Sequence, residues 1–181
     1  TLDYGAELHF RMLCVLETRG EGILIAADVA GAFDRCWWSK LKVHFQKAGM
    51  KGKALKLIKS YLFKRFVQVV CGGKASSERE IFSSVPQLAQ GGKWSPESWD
   101  FDISEISSCL GTDVEIGCYA DDIWLWYEIT DANREGILDA INLDLEALTN
   151  WGASNGTTFE PDKTYGVLFS NKRSHRFDET Q

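Results

Sequence analysis

The chain has 181 residues, of which 44% are hydrophobic and 25% are charged, proportions that are ordinary for one globular domain and exclude a disordered or fibrous chain. No run approaches the roughly 18 apolar residues that a membrane-spanning helix needs. We therefore expect no membrane partner and an intracellular location, either nuclear or cytoplasmic. The five cysteines are scattered and odd in number, which favours buried, reduced thiols and excludes a clustered zinc site.

The distribution of charge is more informative than its total. A net charge of −6 argues against nucleic-acid binding at first sight, because proteins that neutralise phosphates show a basic footprint. Between Arg35 and Ser77, however, there are eleven basic residues and no acidic one, which leaves nine basic and 26 acidic residues elsewhere. This block is either a basic face that binds nucleic acid or a pair of solvated, lysine-rich helices, and the sequence leaves both readings open.

The first half of the chain is predicted to hold three helices and a buried strand. Helical spacing predicts a helix over residues 4–16, and a nearly continuous apolar run predicts a strand over residues 22–28 that is buried on both faces. Asp34 is predicted to cap a helix that ends at Gly49. The next helix carries Leu55, Ile58 and Leu62 on one side and lysines on another.

The second half is predicted to be richer in strands. We expect a strand over residues 66–71, a turn at Gly72-Gly73 and a partner strand over residues 80–85. Ser95 and Pro96 are expected to be the N-cap and first residue of a helix.

Strands over residues 114–120 and 123–127 are expected to be joined by a tight turn that carries two aspartates. They are followed by a helix over residues 131–151, stopped by Asn155-Gly156, and by a strand over residues 164–170. The predicted fold class is α+β, an antiparallel sheet with helices packed on one face.

Carboxylates stand at the predicted strand ends. Asp28 closes one apolar run, and Asp121 and Asp122 lie between two others, so we expect strand ends from distant segments to bring carboxylates into one cleft. Such carboxylates would repel each other unless cations lay among them, and the expected occupants are two Mg²⁺ ions, with Mn²⁺ as a substitute. Because strand side chains alternate between faces, the firm ligand is expected to be Asp121 and the secondary one Asp122. Either could also be an ordinary turn or strand-end aspartate.

Four segments in order resemble the palm motifs of reverse transcriptases. Residues 27–34 (Ala-Asp-Val-Ala-Gly-Ala-Phe-Asp) resemble the first palm motif, and residues 119–122 (Tyr-Ala-Asp-Asp) resemble the YxDD motif. Residues 90–96 (Gln-Gly-Gly-Lys-Trp-Ser-Pro) are similar to the motif between them. Residues 151–169 resemble the region after the hairpin in non-LTR retrotransposon (LINE-type) enzymes.

The resemblance implies a palm domain of an RNA-directed DNA polymerase, whose partners are an RNA template, a DNA primer and a dNTP. Residues 1–20 would be the tail of the fingers and residues 21–181 the palm, with most of the fingers and the thumb outside this chain.

The resemblance also implies roles for individual residues. Asp28 and Asp121 would bind both metal ions, with the backbone carbonyl of Val29 and with Asp122 assisting. Phe33 would pack under the sugar and exclude a 2′-hydroxyl, although an ordinary core phenylalanine is the alternative. The positions near the incoming nucleotide, its triphosphate and the template would be Gln90, Gly91 and Lys163. For Lys163 a solvated surface lysine is an equal alternative.

The sequence departs from the family in the middle motif. Ala89 stands where the family usually has proline, and Glu97 and Asp100 follow Ser95-Pro96, where acids would oppose phosphate. A catalytically impaired palm remnant that acts as a nucleic-acid-binding or interaction module is therefore the alternative function.

A nucleotide cyclase of palm type is disfavoured, because Gly91-Gly92 is followed by Lys93-Trp94 rather than by acids. His9, His44 and His175 show no convergent partners in the sequence, so no role is expected for them. Most tryptophans are expected in the core.

Overall fold

The structure is a computed structural model that describes residues 2–81 and 87–171. Its α-helices are α1 Leu2–Glu17, α2 Ala32–Arg35, α3 Trp38–Lys47, α4 Gly52–Leu62, α5 Ser95–Ile103 and α6 Ile137–Asn155. Its strands are β1 Glu21–Ala30, β2 Arg65–Val67, β3 Val70–Cys71, β4 Lys74–Ala75, β5 Arg79–Ile81, β6 Glu115–Tyr119, β7 Asp122–Ile129, β8 Thr158–Phe159 and β9 Tyr165–Ser170. Short 3₁₀ segments cover Ser104–Cys109 and Pro161–Lys163. None of the described helices is long and apolar enough to cross a membrane.

The chain divides into two compact units. One, the sheet unit, comprises Thr1–Ala30 and Ile106–Gln181, and the other, the helical unit, comprises Gly31–Glu105. The expected division of the chain at residue 20, between fingers and palm, stays a prediction.

The sheet unit is built on an antiparallel sheet with β1 near its centre. The order along the sheet is β6-β7-β1, and on its other edge β1 pairs with β9 along its first part and with β8 at its end. Helix α1 packs against β1, β6 and β9, and α6 packs against β8. The predicted α+β class with an antiparallel sheet is confirmed.

The register of β1 against β7 is fixed by one buried face. Alternate residues of β1 from Ile23 to Val29 are buried, and the first three of them pair with Tyr127, Leu125 and Ile123, which are also buried. A slip of one residue would turn this apolar face towards water. The burial pattern therefore fixes which residues stand opposite each other at the end of the ladder, where Asp28 lies.

The helical unit packs α3 against α4 and α5. Its buried apolar side chains include Leu41, Phe45, Ile58, Leu62 and Trp99. Two short antiparallel ribbons, β2 with β5 and β3 with β4, follow α4.

Several boundaries differ from those predicted. Helix α6 begins at Ile137 rather than at residue 131, because Asn133 holds a turn by accepting from the Thr130 amide and donating to the Glu128 carbonyl. The predicted end is confirmed, since Gly156 caps α6 in the left-handed region at φ 70°. The single strand expected over residues 66–71 is two strands, β2 and β3. Its partner is confirmed as β5, although residues 82–85 of the predicted strand lie outside the described residues.

Two predicted caps are wrong. Asp34 lies inside the short helix α2, and α3 begins after Trp37 with no side-chain cap. Ser95 is the first residue of α5 rather than its N-cap, because its hydroxyl is drawn back to the carbonyl of Ala89, 2.7 Å away.

The cysteines and tryptophans are less uniformly buried than expected. None of the five cysteines forms a disulfide, but Cys71 and Cys109 are exposed, and among the five only Cys36 is fully buried. Trp99 and Trp126 lie in the core as predicted, whereas Trp94 is 45% exposed.

Candidate active site

The sheet unit brings Asp28 and Asp122 face to face. They are register partners across β1 and β7, and the Val29 amide donates to the Asp121 carbonyl at 3.0 Å, which makes 28 and 122 the non-hydrogen-bonded kind of pair. Residues so paired have Cα atoms about 4.5 Å apart and side chains on the same face. Two carboxylates from segments more than 90 positions apart in the sequence thus share one end of the sheet.

The hairpin that carries the second carboxylate is tight and strained. Tyr119 pairs with Asp122, which leaves Ala120 and Asp121 as a two-residue loop. Ala120 has φ 54°, and this left-handed backbone costs an L-residue roughly 1–2 kcal/mol. The expectation that both aspartates lie in the turn is wrong, since Asp122 is the first residue of β7. Only Asp121 belongs to the loop.

Lys163 places a cation on one member of this pair, Asp28. Its ammonium lies 2.8 Å from Asp28 Oδ2 and 2.7 Å from Glu160 Oε2. The hydrogen bonds to Asp28 and then to Glu160 raise the pKa of Lys163. The Asp28 side chain is 20% exposed, so this end of the sheet is open enough for a ligand to reach it.

Glu160 is the residue of this site that sequence reasoning missed. Its amide donates to the Asp28 carbonyl at 3.0 Å, so its backbone extends the ladder at the strand end, and its carboxylate meets Lys163. Its spacing of three from Lys163 was the only signal in the sequence, and such pairs are common on surfaces.

The donor set suits a hard divalent cation. Within the described residues no group of three or more His, Cys, Asp or Glu side chains is arranged to hold a metal ion. Mg²⁺, however, is usually held by one or two carboxylates plus waters and substrate phosphates rather than by an all-protein cage. Asp28 and Asp122 offer two facing carboxylates, and the Lys163 ammonium is a stand-in for a cation at Asp28. These residues therefore fit Mg²⁺.

The helical unit holds the second set of predicted residues, Phe33, Gln90 and Gly91. The Phe33 ring is half-buried and meets Trp99 edge to face at 6.5 Å, and its carbonyl accepts from the Leu88 amide. Gln90 and Gly91 are exposed, and Gly91 has φ 77°, which favours glycine. A backbone hydrogen bond thus joins Phe33 to Leu88, which comes just before Gln90 and Gly91 in the chain.

Hydrogen bonds hold the loop over residues 89–95 in its conformation. The amide of Gly92 donates to Ala89, and the Ser95 hydroxyl lies 3.3 Å from the hydroxyl of Tyr61 on α4. A Cβ at Gly92 would overlap that Tyr61 hydroxyl. Tyr61 is a second residue that the sequence did not single out, because nothing along the chain signals a contact between residues 61 and 92.

A buried charged cluster ties α3 to α5, and it corrects the expectation that His44 has no partners. His44 Nδ1 lies 3.1 Å from Asp102 Oδ1, and Nε2 lies 3.0 Å from Glu105 Oε2. Lys40 contacts the same Asp102 at 3.1 Å. Burial lowers the pKa of His44 more than the two acids raise it. The cluster fixes the position of α5, whose first residue anchors the 89–95 loop.

The fold is similar to that of two telomerases. Apo telomerase from Candida tropicalis, truncated from its C-terminal domain, matches with TM-score 0.64 and 14% identity over 93% of this chain and 36% of that chain. Telomerase from Candida albicans, in complex with the TWJ fragment of telomeric RNA, matches with TM-score 0.53 and 12% identity over 97% of this chain and 31% of that chain. This chain therefore spans no more than 36% of the telomerase chains that it matches.

No curated protein sequence matches the chain. Residues 4–177, however, match the family described as Reverse transcriptase (RNA-dependent DNA polymerase). Since that match spans nearly the whole sequence, the chain belongs to the reverse transcriptase family.

Proposed function

We propose that the chain is the catalytic palm of an RNA-directed DNA polymerase of the non-LTR retrotransposon type, which transfers a nucleotide from a dNTP to a primer 3′-hydroxyl. One observation carries the proposal: Asp28 and Asp122 face each other across β1 and β7, directly beside the Asp121 turn. The non-LTR assignment draws its support from the motif resemblance of residues 151–169.

The proposed metal ligands are Asp28, Asp121 and the Val29 carbonyl, with Asp122 assisting from the opposite strand. Two Mg²⁺ ions, or Mn²⁺ in their place, would activate the primer hydroxyl and neutralise charge on the leaving pyrophosphate. The pairing of Asp28 with Asp122 across β1 and β7 supports this proposal, because it brings two acidic residues from distant segments to one end of the sheet.

Four residues are proposed to contact the substrate. Lys163, which contacts Asp28, would bind the triphosphate through its ammonium. Phe33 would exclude a 2′-hydroxyl, and Gln90 and Gly91 would contact the nucleotide and the template. The positive φ of Gly91 and its lack of a side chain would let a substrate approach the backbone closely.

Primer extension by the full-length protein tests this proposal. Asp28→Asn and Asp121→Asn should each abolish Mg²⁺-dependent extension of a DNA primer on an RNA template. Glu128→Gln is the matched control, because it removes one exposed carboxylate from β7 opposite Gly22 and should leave extension unchanged. Extension that persists in either aspartate variant would overturn the assignment of roles.

A second candidate is a palm remnant that binds nucleic acid without catalysis, and the acids of α5 favour it. Glu97 is exposed in the first turn of α5, and burial together with Glu97 raises the pKa of Asp100. Glu97 also has a structural explanation, since an acid in the first turn stabilises a helix N-terminus. Absence of any Mg²⁺-dependent or Mn²⁺-dependent thermal shift in the chain would favour the remnant.

A further inference from the structure

Helix α4 presents lysines on a face that is exposed among the described residues. Lys53, Lys56 and Lys59 are exposed and lie within an arc of about 120° at 100° per residue. The buried residues of the helix, Ile58 and Leu62, lie on the other side. The lysines are therefore not there to complete the core.

For two of these lysines, Lys53 and Lys56, the described residues offer no local electrostatic stabilisation. No acidic side chain forms an ion pair with Lys53 or Lys56 within the described residues, while Lys40 and Lys47 of α3 are paired with Asp102 and Glu105. The first turn of α4 contains no acid, and its N-cap makes no side-chain hydrogen bond. A lysine in the first turn, such as Lys53, opposes the helix dipole.

Residues that destabilise the helix in which they lie are expected mainly at functional sites. A phosphate reverses both costs, because it pairs with the lysines and with the positive end of the helix dipole. Eleven basic residues and no acid between Arg35 and Ser77 give this stretch of the chain a net positive charge, which attracts phosphate.

Helix α4 is physically joined to the loop that carries Gln90 and Gly91. Its Tyr61 hydroxyl lies 3.3 Å from Ser95 Oγ, and Arg65, three residues after α4, donates to the Gln87 carbonyl at 3.1 Å. Two lysines flank an aromatic ring at the same end, since Lys59 Nζ and Lys64 Nζ lie 5.9 and 6.0 Å from the centre of the Phe63 ring. Phe66 beyond them is 60% exposed. Basic side chains interleaved with accessible aromatic rings are typical of surfaces that bind single strands.

We propose that this lysine face of α4, defined by Lys53, Lys56 and Lys59, binds the phosphodiester backbone of a single nucleic-acid strand. The proposal deepens the proposed function, on which it rests for the choice of nucleic acid as partner. It does not depend on the metal site.

Fluorescence anisotropy of the full chain with labelled oligouridylate and oligothymidylate, in EDTA, tests the lysine face without any catalysis. Each lost phosphate contact lowers the slope of log affinity against log salt by about 0.7 for a single strand, so Lys53→Gln with Lys56→Gln should lower it by about 1.4. If the variant and the wild type bind equally at 1 M salt, a slope difference of about 1.4 makes the variant bind about 25-fold more weakly at 0.1 M salt. RNA and DNA should respond alike, because the contact is to the backbone.

Two control variants make the result specific. Lys53→Arg with Lys56→Arg keeps the charge and should keep the slope. Asn142→Glu with Asn150→Glu adds the same two negative units on exposed positions of α6 and should change the slope by less than half as much.

A glutamine variant that binds like wild type, or no more weakly than the α6 variant, would overturn the proposal while leaving the polymerase assignment intact. Failure of the wild-type chain to bind either strand would overturn it as well. The proposed polymerase function is judged separately, by extension in the Asp28→Asn protein.

Discussion

Replacing Asp122 by asparagine should stabilise the metal-free protein and weaken its response to Mg²⁺. Asp122 stands directly opposite Asp28 in the ladder, and like charges so placed are destabilising by about 0.2–1 kcal/mol. Lys163 already offsets part of this repulsion at Asp28. A gain of about 0.5 kcal/mol is therefore reasonable, and at about 2–4 °C per kcal/mol it raises Tm in EDTA by about 1–2 °C.

The response to Mg²⁺ should change in the opposite direction. At a Mg²⁺ concentration tenfold above Kd, binding stabilises the wild-type protein by about 1.4 kcal/mol, or about 3–5 °C. Loss even of a supporting group around a metal costs about 10–100-fold in affinity. Asp122→Asn should then gain only about 1 °C or less at the same concentration.

Differential scanning fluorimetry with and without Mg²⁺ measures both effects. Glu128→Gln is the control, because Glu128 lies on the same strand with Gly22 opposite it and should show neither change. An Asp122→Asn protein that melts lower than wild type in EDTA, or that gains as much from Mg²⁺, would refute the reasoning.

Three further predictions concern other contacts. Gly92→Ala should destabilise the protein by about 1–3 kcal/mol through overlap with the Tyr61 hydroxyl, and adding Tyr61→Phe should recover part of the loss in urea unfolding. The folded state lowers the pKa of His44 below its unfolded value, so His44 favours folding above pH 6.5 and this contribution to stability is lost as the pH falls below 6.5. His44→Gln should therefore make Tm less dependent on pH, as measured by melts at successive pH values. Lys163→Met should lower the Mg²⁺ concentration for half-maximal thermal shift, because it removes a cation that competes at Asp28.

Each of these predictions has a result that would contradict it. Independent, additive effects of Gly92→Ala and Tyr61→Phe would show that the two side chains do not meet. A wild-type Tm that rises as pH falls from 7 to 5 would mean that Asp102 and Glu105, the acids beside His44, outweigh its burial. An unchanged or higher Mg²⁺ requirement in Lys163→Met would show that the ammonium does not occupy the place of the ion.

The sequence alone predicted the strands that carry the buried apolar face of the sheet. The apolar run before Asp28 and the runs around Asp121 and Asp122 gave both strands, and their convergence followed from antiparallel pairing. The register itself could not be predicted, because it depends on which residues of β7 are buried against β1. The observed register places Asp122 opposite Asp28 in the ladder. The sequence had indicated Asp122 only as the secondary metal ligand.

The contacts that sequence reasoning missed are those between residues far apart in the chain. Nothing along the sequence connects His44 with Asp102, or Tyr61 with Gly92, because such pairs arise only when α5 packs against α3 and the loop closes on α4. Local patterns failed where a side chain found a distant partner instead. Ser95, expected as an N-cap, bonds to the Ala89 carbonyl.

The central claim is that acidic groups from β1 and from the β6–β7 hairpin bind shared divalent ions. Anomalous diffraction from crystals of the protein soaked in Mn²⁺ tests it most directly. The account predicts a peak about 2.1 Å from an oxygen of Asp28 and from one of Asp121 or Asp122, with Lys163 displaced from Asp28. Mn²⁺ bound only at other acids, with the Lys163 ammonium still on Asp28, would contradict it.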